Sequence, residues 1–286
     1  MLGLFKVGGR RFRFAVGALV ASLLAVVWFA VAALGTKHGF WDWGFGLRKM
    51  YFAWGLYVVG AAGVFAVLGL IASLIRYPRL NGTIVSLAAL LVVGLLAGRL
   101  YGLKLQADVV PPIHDVQTDF DRPVVFSDTL LNARVAGGAE NDVLLDPVVR
   151  EGVGGINPAW EKFSGLSNAE AQALAVASGN YAEIAPLVFD ARADEVFDAT
   201  LALVEARGWD VVTSNKAEGR IEATETSMWF GFKDDVAIYI RDVDDRTRVD
   251  MRSVSRVGLS DLGANQRRIA VFLQDLNATQ GVSSGF

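Results

Sequence analysis

The stretch DVAIYIRDVDDRTRVDMRSVS, residues 235–255, decides the fold. Val236, Ile238 and Ile240 fall on one face of the first run, and Val249, Met251 and Ser253 on one face of the second, with Arg248, Asp250 and Arg252 on the other. A period of two is the signature of an extended chain with one apolar side. Asp244-Asp245 between the runs predicts a tight turn joining two antiparallel strands. A two-residue turn there pairs Val243 with Arg246 and sets Asp235 opposite Val254. In that register Asp235 lies diagonal to Arg252 and Arg256 on the same face, within reach of their long side chains.

Working upstream, residues 220–226 and 209–213 read as two more strands, joined by the turn at 215–219. Residues 194–207 place Val196, Phe197, Leu201, Leu203 and Val204 at helical spacing, and Gly208 is a fitting stop. Residues 186–189 are a short strand candidate. Downstream, residues 260–276 predict a helix with Leu262, Ile269, Phe272, Leu273 and Leu276 as its buried stripe and Ser260 as its N-cap. Strand, helix, four strands and helix imply an α+β domain, an antiparallel sheet with two amphipathic helices packed on one face. This α+β core spans residues 186–277. Residues 105–185 are punctuated by Pro111-Pro112, Gly137-Gly138, Asp146-Pro147, Gly154-Gly155 and Asn157-Pro158 and read as irregular. One Ala-rich helix is expected there, at 168–177.

The first 104 residues are a different object. They hold eleven Lys and Arg against one acid, Asp42, which is +10; the rest, 105–286, carries −13, and the whole chain −3. Residues 14–34 and 52–75 are free of charge, and each is long enough to cross about 30 Å of hydrocarbon as a helix. A third span, 82–103, reaches that length if Arg99 snorkels toward the interface. The first run is longer than the roughly 7–15 apolar residues of a signal peptide, so a retained anchor is expected. With the tail bearing Lys6, Arg10, Arg11 and Arg13 inside, and Arg76 and Arg79 in the second loop inside too, basic residues favour a cytoplasmic N-terminus. Three crossings then place the acidic domain outside the cytoplasm. Phe40, Trp41, Trp43, Phe45, Tyr51 and Trp54 suit an interfacial belt. Gly94 and Gly98 form a helix-packing pattern that the three helices can use among themselves. No acid or His interrupts a span, which argues against transport.

Chemistry is sparser. The chain has no Cys and two His, His38 and His114. Thiolate chemistry, disulfides and multi-His metal centres are therefore excluded, and neither metal nor cofactor is expected. The −13 charge argues against nucleic acid as a partner. The densest polar run is 250–269. It predicts that Asp234, Asp235, Arg252, Ser253, Ser255, Arg256, Ser260, Asp261, Asn265 and Arg268 gather near the start of the last helix. Two Arg at a helix N-terminus suit a phosphate or carboxylate; the plainer reading is that the acids neutralise the Arg and lock strand to helix. His114-Asp115 is a second candidate, half of an acid–base pair or a metal ligand, against the plainer reading of a His held by local hydrogen bonds. The run 228–232, Met-Trp-Phe-Gly-Phe, reads most simply as core or helix-covering surface, and as a lipid or partner patch if exposed.

Pro111-Pro112-Ile113-His114-Asp115, Thr118-Asp119, Gly208-Trp209, Ile221-Glu222-Ala223-Thr224, Phe232-Lys233-Asp234-Asp235-Val236 and the run Arg-Ser-x-Ser-Arg-x-Gly-x-Ser-Asp-x-Gly-x-Asn at 252–265 resemble the DUF1499 family. The resemblance covers residues 110–277. It implies a bacterial or plant protein among whose relatives membrane-spanning N-terminal helices occur, and brings no reaction or catalytic residue. Three functions follow as expectations. One is a membrane-anchored extracytoplasmic module that binds or scaffolds an envelope protein or lipid. Another is an enzyme joining Asp235, Arg252, Arg256, Asp261 and His114 in one cleft. The third is a structural subunit of a membrane complex.

Overall fold

The computed structural model describes residues 10–75 and 80–280. Lys6, Arg76 and Arg79, which carry part of the orientation argument, lie outside the described residues. The chain divides into two units, residues 1–105 with Met228–Gly231, and 106–227 with 232–286.

The first unit holds three helices long and apolar enough to cross a membrane. Helix α1 is Arg10–Lys37, α2 is Gly55–Leu74 and α3 is Leu80–Val109. The third span is continuous and longer than the expected 82–103; Arg99 lies within it without breaking it. No Pro follows Arg99 before Val109, and isolated Gly102 and Asp108 cost too little to stop the helix. The aromatic stretch before α2 forms a π-helix, Gly44–Trp54. Gly55 follows it closely against α1: a Cβ there would come within 2.7 Å of the Phe29 ring. Small residues bring the helices together, Ala18, Ala66 and Ala89 at one level, and Phe29, Val59 and Leu100 fill another. Gly94 and Gly98 are not part of this packing, as no atom lies within 4 Å of where their Cβ atoms would stand. The close helix contacts are instead made by the alanines and by Gly55, Gly69 and Gly82, so the expected use of the Gly94–Gly98 pair among these helices is corrected.

The second unit is mixed α+β around a six-stranded antiparallel sheet. Its strands are β1 (Asp115–Gln117), β2 (Leu187–Phe189), β3 (Asp210–Asn215), β4 (Arg220–Thr226), β5 (Lys233–Val243) and β6 (Arg246–Ser255). The order is β1-β6-β5-β4-β3, and β2 also pairs with β6. Val243 pairs with Arg246 and Asp235 with Val254, the register implied by a two-residue turn. Asp244 and Asp245 both adopt positive φ, 51° and 62°, as a primed hairpin turn requires.

Val236, Ile238, Ile240, Val249 and Met251 are buried with α6 (Ala193–Ala206) and α7 (Ala264–Gln280), where Trp209 stacks on Phe272 at 5.4 Å. Helix α7 begins later than residue 260. Asp261 caps it, accepting from the Asn265 N–H at 2.8 Å; Ser260 instead accepts from Leu262 at 3.2 Å. The positive φ of Leu262 and Gly263 keeps residues 260–263 out of the helix.

The segment 105–185 is more ordered than its composition suggests. Helix α4 (Asp128–Ala136) and strand β1 were not expected. Helix α5 (Asn168–Ala177) was, and a reciprocal capping box between Ser167 and Glu170 explains why it starts where it does. Val124, Phe126 and Leu130 pack on Ala237 and Val254. These two alternate with the residues facing α7, so the sheet is covered on both faces.

Candidate functional site

Alternation along β5 and β6 divides the polar run. Side chains that are successive on a strand point to opposite faces. Asp234, Ser253 and Ser255 therefore share the α7 face, whereas Asp235, Arg252 and Arg256 share the face covered by α4. The expected single gathering is two clusters with the sheet between them.

On the α7 face Arg268 is the hub. It donates to Asp234 at 2.5 Å, to Ser253 at 2.9 Å, and to Glu225 and Asn265 at short range. Asn265 accepts from Ser253 at 2.7 Å and donates to Ser255 at 2.9 Å and to the His114 carbonyl at 3.0 Å. The Asp261 carboxylate accepts from the Gly263 and Asn265 N–H groups. Burial nevertheless pushes its pKa up to about 6, because desolvation outweighs those two bonds, and nearby Asp234 adds to it.

On the opposite face Asp235 is fully buried between two guanidiniums. Arg134 donates to it at 2.6 Å and Arg256 at 2.8 Å from both Nε and a terminal nitrogen. Thr224 donates a further bond at 2.6 Å. Arg252 does not join Asp235. It makes a bidentate pair with Asp115 on the neighbouring strand β1, at 2.9 and 2.5 Å. Its remaining donors go to the Val124 and Leu144 carbonyls at 2.9 and 2.5 Å. Register explains the choice: β1 sets Asp115 opposite Val254, so Asp115 is as near diagonally to Arg252 as Asp235 is, and Arg134 has already claimed an Asp235 oxygen. A third buried carboxylate on this sheet, Glu222, accepts from Ser127 N–H at 2.6 Å and from its hydroxyl.

His114 stands at the junction. Its carbonyl accepts from Ser255 N–H at 2.9 Å. Burial holds its imidazole below the usual range against the pull of Asp115, and the ring is hydrogen-bonded to the Leu259 backbone. Of the five residues required to converge in one cleft, Asp235, Arg252 and Arg256 are separated from Asp261 by the sheet. Among the described residues no three His, Asp or Glu gather to hold a metal. A surface cavity of about 650 Å³ lies elsewhere, lined by Arg192, Asp194, Lys216, Glu218 and Arg241 among others. Of the residues sequence reasoning missed, Arg134 and Asn141 come from the segment read as irregular, whereas Glu222 and Thr224 lie on the expected strand β4 and had no visible partner in the sequence. Asn141 holds the turn after β6, donating to the Ser255 and Gly258 carbonyls.

The chain is thus a mixed α+β domain with a buried lattice of Arg–carboxylate pairs on both faces of its antiparallel sheet, together with three candidate membrane helices. The family model described as "Protein of unknown function (DUF1499)" matches residues 115–276. The chain belongs to that family. The match begins at Asp115, so the Arg252 partner lies inside it and His114 just outside. A search of curated proteins finds no match.

Proposed function

We propose that the chain is a membrane-anchored binding or scaffold module of the bacterial inner membrane. Its N-terminus is cytoplasmic and its acidic domain periplasmic, and it contacts an envelope protein or lipid. The observation that carries this reading is the internal commitment of the polar motif. Arg252 and Arg256 direct their donors to Asp115, Asp235, Thr224 and backbone carbonyls. Donors held that way stiffen a sheet and are not offered to a ligand. A stiff domain on a membrane anchor presents surfaces, and the −13 charge of residues 105–286 favours basic or neutral partners.

Two measurements test it. The chain is free of Cys, so a single Cys at Thr279 reports the side of the membrane through an impermeant reagent. Labelling of intact spheroplasts supports the periplasmic placement; labelling only after lysis sinks it. Purification of the full chain from membranes after mild solubilisation is expected to retain a stoichiometric protein or lipid. A lone chain with neither counts against the binding reading, and a fixed multi-subunit assembly would assign it to the structural class instead.

A further inference from the structure

We propose that the tip of the β4–β5 connection, Met228–Gly231, is a membrane-interface anchor whose Met228 and Trp229 side chains seat among lipid headgroups. The proposal rests on the three apolar helices crossing a bilayer.

The tip is closed at its neck. Ser227 N–H donates to the Phe232 carbonyl at 2.8 Å, and Phe232 N–H to the Ser227 hydroxyl at 2.9 Å. Four residues are thereby held apart from the strands that flank them. They group with the helices of the first unit. Lys37, in the last turn of α1, donates from Nζ to the Met228 carbonyl at 2.8 Å. Phe230 meets Tyr51 edge-on, ring centroids 5.7 Å apart. Gly231 has φ +70°, and a Cβ there would lie 3.0 Å from Lys37 Cγ, so the close approach needs glycine.

Lys37 and Tyr51 mark the level. A Lys at the end of an apolar helix places its ammonium at the headgroups, and aromatic rings cluster at the same depth. Phe40 is 77 % exposed and Trp54 43 % exposed around that level. The tip adds Met228, 74 % exposed, and Trp229, 59 % exposed. Two large apolar side chains left open beside an interfacial belt extend that belt. Trp suits the place because its ring is apolar and its indole N–H can bond to water or a headgroup. A protein partner is the rival occupant, and the test separates it.

The Cys-free chain allows Met228→Cys to carry an environment-sensitive fluorophore in proteoliposomes holding this protein alone. Leu68→Cys, on the exposed side of α2, is labelled in parallel. The expected result is loss of Met228-site fluorescence with a nitroxide near the lipid headgroup, stronger than with one near the chain end, together with protection from aqueous iodide. The Leu68 site should be quenched by the chain-end nitroxide. If Leu68 behaves so while the Met228 site is quenched by iodide and not by lipid, the interface anchor is overturned and the anchoring reading survives. If neither site senses lipid, the anchoring reading fails first. Trp229→Asp should return the Met228-site emission to that of water, whereas Trp229→Phe should not; equal behaviour of the two variants also overturns the proposal.

Discussion

Arg252 and Asp115 form a bidentate ion pair in which each side chain is about 1 % exposed, between β6 and the three-residue strand β1. A strand of three residues contributes little by itself, so this pair reinforces the backbone bonds, such as Ser255 N–H to the His114 carbonyl and Thr118 N–H to the Met251 carbonyl, that fasten the segment after α3 to the sheet. Removing one partner leaves an uncompensated buried charge, which costs about 3–5 kcal/mol. Arg252→Met and Asp115→Leu are each expected to lose that much, and the double variant distinctly less than their sum. Denaturant midpoints of the three variants, with hydrogen exchange of β6 amides as the local readout, check it. Strict additivity would mean that the two side chains do not depend on one another.

Asp235 is expected to be the most sensitive residue on the same face. One carboxylate faces both Arg134 and Arg256, and burial already lowers the Arg134 pKa against the opposing pull of Asp235. Asp235→Asn keeps the shape and strands two guanidiniums, so its loss should exceed that of Arg134→Met, which leaves Asp235 paired with Arg256. A stability ranking with Arg134→Met as the worse variant would contradict this account.

The hairpin that carries these residues was legible because two signals agreed. Val236, Ile238 and Ile240 demanded a strand of period two, and Asp244-Asp245 set a turn of fixed length. Register followed, and with it the place of Asp235 opposite Val254. The site was less legible. Adjacent residues 234 and 235 look like one acidic pair in a sequence, yet the pleat sends them to Arg268 and to Arg256 on opposite faces. The remaining pairings join Arg268 to Glu225, Asp235 to Arg134 and Arg252 to Asp115, which are 43, 101 and 137 residues apart in the chain. No local pattern announces such pairings, and β1 is too short and α4 too polar to show periodicity.

Asp261 makes stability depend on pH. Its folded pKa of about 6 stands above the ordinary 3.8, so the native state holds its proton more tightly than the unfolded chain. That contribution is fully present below pH 3.8 and is lost as pH rises through about 6. Asp261→Asn should remove this slope, flattening the stability profile between those values by at most about 3 kcal/mol. Unfolding by denaturant at a series of pH values is the measurement; an unchanged slope in the variant would remove Asp261 as its source.

His114 acts in the opposite sense. Burial depresses its pKa below 6.5, so its contribution is present above pH 6.5 and is lost as pH falls through the depressed value. His114→Asn should spare the protein part of its acid-side loss, and doing so in the Asp261→Asn background isolates it. Imidazole proton shifts in the wild-type chain give the independent check, and a His114 titrating at or above the ordinary value would contradict the burial argument.

The Asp244-Asp245 turn predicts a gain rather than a loss. Both residues hold positive φ, a conformation that costs an ordinary L-residue about 1 kcal/mol or more and glycine almost nothing. Two neighbouring carboxylates also repel one another at the tip of the hairpin, where they are exposed. Asn-Gly is the pair best suited to this turn. Asp244→Asn with Asp245→Gly is therefore expected to raise stability by about 1 kcal/mol, the relief of strain outweighing the added freedom of glycine in the unfolded chain. The gain should persist at high salt, since backbone strain is not screened while the carboxylate repulsion is. A higher denaturant midpoint at both low and high ionic strength meets the expectation, and a gain that vanishes with salt would leave charge repulsion alone as its cause.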